Sequence, residues 1–173
     1  EAAYMGENFQ IGQSRVILEP RTLAKLLDAL DIDNDELVLD IGTGLGYSSA
    51  IISLLAEVVI AVEDDSSLAS DAEEILSEIG VDNVVVQIGK LEDGAPEHGP
   101  YDVIILQGGV GVIPGSILNQ LKNGGRIGAI FIEEGLGTAK IGFKLNDKIT
   151  WRYSFSAAAP ILPGFSKQNN FVL

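Results

Sequence analysis

Cysteine is absent from the 173-residue chain. That removes disulfides, thiolate metal sites and a cysteine nucleophile from consideration. Histidine occurs once, at His98 in a Gly/Pro-rich stretch, too little for a multi-histidine metal centre and best read as a surface residue. No apolar run approaches the roughly 18 residues of a membrane span, and no signal-peptide pattern opens the chain. A cytoplasmic protein with no membrane partner is expected. The first residue is Glu1 rather than Met, so native N-terminal residues are expected to be missing. Positive charge is scarce: 11 basic against 25 acidic residues leave a net charge of −14, which disfavours a nucleic-acid partner. The shortage is also local. From Leu26 to Gly89 there is no Lys or Arg, and 15 acids fall in that stretch.

What is present is the material of one globular domain. Hydrophobic residues make up 46% and mean hydropathy is +0.26. Short runs rich in Val, Ile and Leu recur at Leu37–Ile41, Val58–Val62, Val84–Ile88, Val103–Leu106 and Ile127–Ile132. Consecutive apolar positions of this kind are expected of parallel strands covered on both faces. Helical patterns lie between them. Pro20 opens a stripe of Leu23, Leu26, Leu27 and Leu30. Leu68, Ala72, Ile75, Leu76 and Ile79 form another, with Ser66 or Ser67 as the expected cap and Gly80 as the stop. Tyr47–Leu55 and Pro114–Leu121 complete the set. The order predicts an open α/β sheet. After Gly137 the period becomes two. Ala139, Ile141, Phe143 and Leu145, a turn at Asn146-Asp147, then Ile149, Trp151, Tyr153 and Phe155 predict an antiparallel hairpin with one wet face. Lys140, Lys144, Lys148 and Arg152 are expected on that wet face, and Phe171-Val172 is a candidate last strand.

The segment richest in chemistry runs Asp40-Ile41-Gly42-Thr43-Gly44-Leu45-Gly46-Tyr47, where the first sheet strand turns into a helix. Glycines there permit a sharp turn and a close ligand approach, and open α/β sheets bind ligands at the carboxyl ends of their strands. The spacing is not the dinucleotide G-x-G-x-x-G, because Tyr47 stands where the third Gly belongs. No G-K-[ST] follows, so a P-loop is excluded. Glu63 ends the next strand, placed to bind ribose hydroxyls, and Asp64 and Asp65 would repel a 2′-phosphate. A base-free pocket with Asp40 and Glu63 suits S-adenosylmethionine, which carries a sulfonium, an amino group and a ribose but no phosphate. In that reading Asp40 attracts the amino end and Glu63 the ribose. An NAD-dependent oxidoreductase is one alternative, since a helix N-terminus holds pyrophosphate without a base. A tight turn that binds nothing is the bland one.

The motif Asp40–Tyr47 resembles the first motif of class I S-adenosylmethionine-dependent methyltransferases. Ile11-Gly12-Gln13 with Ile17 and Pro20, Gly99-Pro100-Tyr101-Asp102-Val103-Ile104, Ile113-Pro114 and Leu118–Arg126 are similar to segments of protein-L-isoaspartate O-methyltransferases, in order, from about Tyr4 to Ile132. The resemblance implies one methyltransferase-like domain over residues 1–173. Its expected fold is a three-layer α/β/α sandwich with a mostly parallel Rossmann-like sheet, here with a C-terminal antiparallel hairpin. The implied reaction moves a methyl from S-adenosylmethionine to the α-carboxyl of an L-isoaspartyl residue, so the implied partner is a protein or peptide bearing a carboxylate. The implied cofactor side comprises Asp40, Gly42, Thr43, Gly44, Gly46, Tyr47, Glu63, Asp64, Gly89, Lys90, Leu91 and Gln107. The substrate-side candidates are Arg15, Ile17, Leu18 and Arg21, with an Arg fork as a possible carboxylate holder. No metal is implied, and no catalytic residue is named. Three positions depart from the family pattern. Leu18 stands where the family carries a serine, Lys90 where it carries an aspartate against the adenine, and Gln107-Gly108-Gly109 where it has a run of small residues. A non-catalytic relative that binds the cofactor or a protein partner is the other alternative.

Overall fold

The computed structural model describes residues 6–167. The chain enters through a small hairpin, β1 (Phe9–Gly12) and β2 (Arg15–Ile17), which forms a two-stranded sheet of its own. Helix α1 (Pro20–Leu30) follows, with Pro20 in its first turn as expected. Then come β3 (Leu37–Ile41), α2 (Tyr47–Ile52), β4 (Val58–Glu63), α3 (Ser66–Glu78), β5 (Val84–Ile88), β6 (Tyr101–Val110), α4 (Gly115–Leu118), β7 (Leu121–Glu133), β8 (Leu136–Leu145) and β9 (Lys148–Ser156). Seven strands pair in the order β5-β4-β3-β6-β7-β8-β9. Strands β5 to β7 are parallel, and β8 and β9 run antiparallel to their neighbours. The mostly parallel sheet with a C-terminal antiparallel hairpin is the expected one.

The apolar runs are buried because both faces of the sheet are covered. On one face, Leu23, Leu26 and Leu30 of α1 and Ile52 of α2 pack on Val38, Val59, Val103 and Ile105. On the other, Leu39, Ile41, Ile60, Ile104 and Leu106 meet Leu91, Ala95, Ile117, Leu162 and Phe165. This second layer is thin, consisting of short 3-10 turns at Leu91–Asp93 and Pro96–His98, the four-residue α4 and the C-terminal segment. Strand order reverses between β3 and β6, so the loop after β3 opens at the switch point, where such sheets bind ligands.

Several expectations are corrected. The helix expected over Pro114–Leu121 shrinks to Gly115–Leu118, because Leu121 already pairs with Tyr101 in the sheet. Helix α2 stops at Ile52 rather than Leu55. The cap of α3 is Asp65, whose carboxylate accepts from the Ser67 and Leu68 amides, and neither serine serves. Strand β5 is an edge, so Val85 and Ile88 are exposed. His98 lies at the surface as expected.

The hairpin does not have one wet face. Its two-residue turn uses Asn146 and Asp147, both with positive φ, and pairs Leu145 with Lys148, Ile141 with Arg152 and Gly142 with Trp151. That register puts odd positions opposite even ones, so the two apolar sets point to opposite faces. Phe155 is shifted again by a bulge at Ser154 and faces the Ala139 side, while Tyr153 is exposed. The four bases therefore do not share one face. Lys144 is buried and donates to the carbonyls of Leu118 and Leu121 at 3.0 and 2.8 Å. Phe171-Val172 lies outside the described residues.

Candidate functional site

The glycine loop sits at the carboxyl end of β3, between β4 and β6. Gly46 begins α2 with a left-handed φ of 83°, and a Cβ there would lie 3.3 Å from Ala72 and Leu76 side-chain atoms, so glycine lets α2 close on α3. Gly44 also has positive φ, and its missing side chain leaves a space that Ile11 fills.

Asp40 is fully buried at the head of the loop. Its carboxylate accepts from Ser48 Oγ and Ser49 Oγ at 2.6 Å each and from Gln107 Nε2 at 2.7 Å. Thr43 Oγ1 and Ser49 Oγ share a further bond of 2.8 Å. Burial pushes the Asp40 carboxyl above its ordinary value, outweighing these donors. Asp40 thus ties β3 to the start of α2 and to β6. It was expected to face a ligand's amino group, but its acceptor sites are taken by the chain itself.

Glu63 ends β4, fully buried. Oε2 accepts from the Gly44 amide at 2.6 Å, and Oε1 from the amides of Asp64 and Asp65 at 3.0 and 3.1 Å. Both oxygens also receive the guanidinium fork of Arg15, at 2.6 Å each, and Arg15 reaches Asp64 as well. Burial raises the Glu63 carboxyl, but the hydrogen bonds and charge of Arg15 outweigh it and hold the group below its ordinary value. Asp64 is displaced upward by burial and by the neighbouring Glu63.

Arg15 was expected on the substrate side. It lies instead in the cleft at the glycine loop, because the hairpin β1–β2 folds over that loop. A bulge sets Ile11 and Gly12 together against Arg15, and re-aims Ile11 at Gly44. A Cβ on Gly44 would come within 2.5 Å of Ile11 Cδ1, and one on Gly42 within 3.4 Å of both Arg15 Nη2 and Leu162 Cδ2. Leu18, expected beside the substrate, is buried with Leu23 and Leu26 in the core, and Ile17 is half-buried. Arg21 is exposed on α1. Lys25, also on α1, sits 4.3 Å from the centre of the Phe155 ring.

The structure brings Asp40, Gly42, Thr43, Gly44, Glu63, Asp64 and Gln107 together, with Gly46 and Tyr47 starting the adjoining helix. Gly89 is held near Glu63 by its amide on the Glu63 carbonyl at 3.0 Å, whereas Lys90 is exposed and Leu91 belongs to the core. Ile11, Leu162 and the serine pair were not anticipated. Ser48 and Ser49 carried a signal, two hydroxyls in the first turn after the loop. Ile11 belonged to a segment similar to the family's, but nothing in that segment placed it on the loop, and Leu162 carried no signal.

The donor set fits S-adenosylmethionine in kind, with a close-approach glycine loop and a strand-end carboxylate, but the pocket expected to be free of bases holds Arg15. It does not fit in the arrangement seen, since Arg15 and Ile11 stand in the same cleft.

A family model described as protein-L-isoaspartate(D-aspartate) O-methyltransferase matches residues 1–149. Among curated proteins, the protein-L-isoaspartate O-methyltransferase of Syntrophus aciditrophicus is 39% identical over 127 residues, covering 73% of this chain and 58% of the relative. Protein-L-isoaspartate O-methyltransferase 2 of Syntrophobacter fumaroxidans is 37% identical over 141 residues, covering 78% and 57%. The chain spans a little more than half the length of these relatives. A solved protein-L-isoaspartate O-methyltransferase superposes with a TM-score of 0.82 at 26% identity, covering 90% of this chain and 51% of that one. A putative one from Plasmodium falciparum, in complex with S-adenosyl-L-homocysteine, superposes with a TM-score of 0.77 at 20% identity, covering 92% and 81%.

Proposed function

Because the chain belongs to the protein-L-isoaspartate(D-aspartate) O-methyltransferase family, we propose that it is an S-adenosylmethionine-dependent carboxyl methyltransferase, acting in the cytoplasm on the α-carboxyl of L-isoaspartyl residues in damaged protein. Family membership sets the dehydrogenase alternative aside. The observation that carries the reading is the glycine loop at the sheet's reversal point, with Glu63 on the adjoining strand donating nothing and accepting from the loop's own Gly44 amide.

Bound S-adenosylmethionine supplies a methyl already activated by its sulfonium. Glu63 is the residue to hold the ribose hydroxyls, with Asp64 and Gly89 beside it. Gly42 to Gly46 give backbone-close approach. Asp40, Ser48, Ser49 and Gln107 act through the loop, by fixing it to α2 and β6. A carboxylate acceptor is ionised at neutral pH and needs no general base. What remains for the chain is to orient the acceptor and exclude water. That division of labour accommodates Leu18 in the core and the single, exposed His98.

One observation favours a second reading, a non-catalytic relative: the ribose carboxylate is paired to Arg15 and the loop is covered by Ile11. Transfer of tritiated methyl from S-adenosylmethionine to an isoaspartyl peptide separates the two. The expected result is a base-labile ester that accumulates with time. A flat time course at high protein concentration, with the non-isomerised aspartyl peptide as control, would overturn the enzymatic reading.

A further inference from the structure

We infer that the β1–β2 hairpin is a strap over the cofactor cleft, with Arg15 as its latch, so that hairpin and cofactor exclude one another. The inference rests on the cofactor reading above and concerns regulation of that same site.

Three observations carry it. First, the latch occupies the group the ribose needs. Arg15 places its fork on both Glu63 oxygens at 2.6 Å, with Arg15 5% exposed and Glu63 0%. A bidentate guanidinium on a buried carboxylate is a strong, geometrically specific pair. A diol hydrogen-bonding that carboxylate has to displace it. Second, the bulge directs Ile11 into the space left by Gly44, and Leu162 closes on Gly42 from the other side. The close approach that glycine permits is thus already filled by this chain.

Third, the hairpin is built to come away. It belongs to no larger sheet, and a two-stranded ribbon is marginal by itself. Its base is tethered by Asn8, whose side chain donates to the Ala158 carbonyl at 2.7 Å and accepts from the Glu19 amide at 2.9 Å. Its tip, Gln13-Ser14, is exposed, and Phe9 is 52% exposed. Among the described residues, the buried Nε of Arg15 has no acceptor, so the latch leaves one donor unsatisfied. Lifting Arg15 from the cleft hydrates that donor and frees Glu63, which keeps the amides of Gly44, Asp64 and Asp65. A ligand that binds only the open arrangement has its affinity reduced by the open fraction, and a variant that weakens the strap restores it.

The test is calorimetric titration of S-adenosylhomocysteine into the full chain and two variants, Arg15→Ala and Ile11→Gly. The second removes the cover from Gly44 and changes no charge. Hydrogen exchange of residues 9–17 with and without the ligand is the independent readout. Both variants are expected to bind about tenfold or more tightly than the unmodified protein. The ligand is expected to speed exchange in the hairpin while protecting the glycine loop. Equal or weaker binding by both variants overturns the strap and leaves the cofactor reading intact. Slower hairpin exchange on binding does the same, since the hairpin would then close on the ligand. No binding by any of the three overturns strap and cofactor reading together.

Discussion

Asp40 concentrates the residue-scale chemistry. Three side chains donate to it in a site without solvent, and two of them begin α2. Truncation in Asp40→Ala strands those donors, each at a cost of about 1–3 kcal/mol. A loss of about 3 kcal/mol in urea unfolding at pH 7 is expected. Asp40→Asn behaves differently. Burial raises the carboxyl in the folded state, so its stabilising contribution is present below the ordinary value and is lost as pH rises through the folded one. At neutral pH the neutral amide avoids that loss, with Gln107 turning its own amide to match. Asp40→Asn is expected to be at least as stable as the unmodified protein at pH 7. An Asn variant as unstable as the Ala variant would show that the buried charge itself is needed. The motif made Asp40 legible as a site residue. Its direction was not legible, because that depends on Ser48, Ser49 and Gln107 arriving from other elements.

Elements are held to one another by side chains that cross between them, and Arg126 is the clearest case. It sits on β7, and its Nε and Nη2 donate to the carbonyls of Leu30 and Asp31 at 2.8 and 2.7 Å. These are acceptors at the C-terminal end of α1 that the helix itself leaves unpaired. The same guanidinium forks onto Glu36 at 2.6 and 2.8 Å. The Arg126 hydrogen bond, against burial, holds the Glu36 carboxyl below its ordinary value. A depressed carboxylate contributes stability that is present above its ordinary value of 4.5 and lost as pH falls through the lower folded value. Arg126→Met is therefore expected to cost about 2 kcal/mol at pH 7, with the difference shrinking below about pH 4 in paired thermal melts. A difference that stays constant with pH would remove Glu36 from the account. At this scale the parallel core of the sheet was readable from its Val/Ile/Leu runs. The faces of the C-terminal hairpin were misread, since alternation within each strand says nothing about register, and the two-residue turn sets it.

Across the whole molecule the charge is divided with the fold. The base-free stretch from Leu26 to Gly89 becomes β3, β4, β5 and most of the helix layer, one half of the sheet. The other half carries Lys122, Arg126, Lys140, Lys144, Lys148 and Arg152. An ion pair joins the halves at Arg126–Glu36, Lys122–Asp102 lies within the basic half between β7 and β6, and Arg15 bridges from the hairpin to Glu63. With a net charge of −14, repulsion among exposed acids such as Asp71, Glu73, Glu74 and Glu78 outweighs these few attractions. Screening to a Debye length of about 4–5 Å near 0.5 M salt is expected to raise Tm by several degrees over low salt. A fall in Tm with sodium chloride would mean that the ion pairs dominate.

The sequence by itself determined the α/β order, the glycine loop after the first sheet strand, the carboxylate on the next and the family these imply. Each of those is a local signal, written in periodicity, turn residues and spacing along a continuous stretch. Tertiary structure alone decided where Arg15 goes. The contact joins residues 48 positions apart, and it depends on a bulge at Ile11 that no pattern of residue types encodes. A basic residue expected to greet a substrate is placed by that bulge on the buried carboxylate of Glu63.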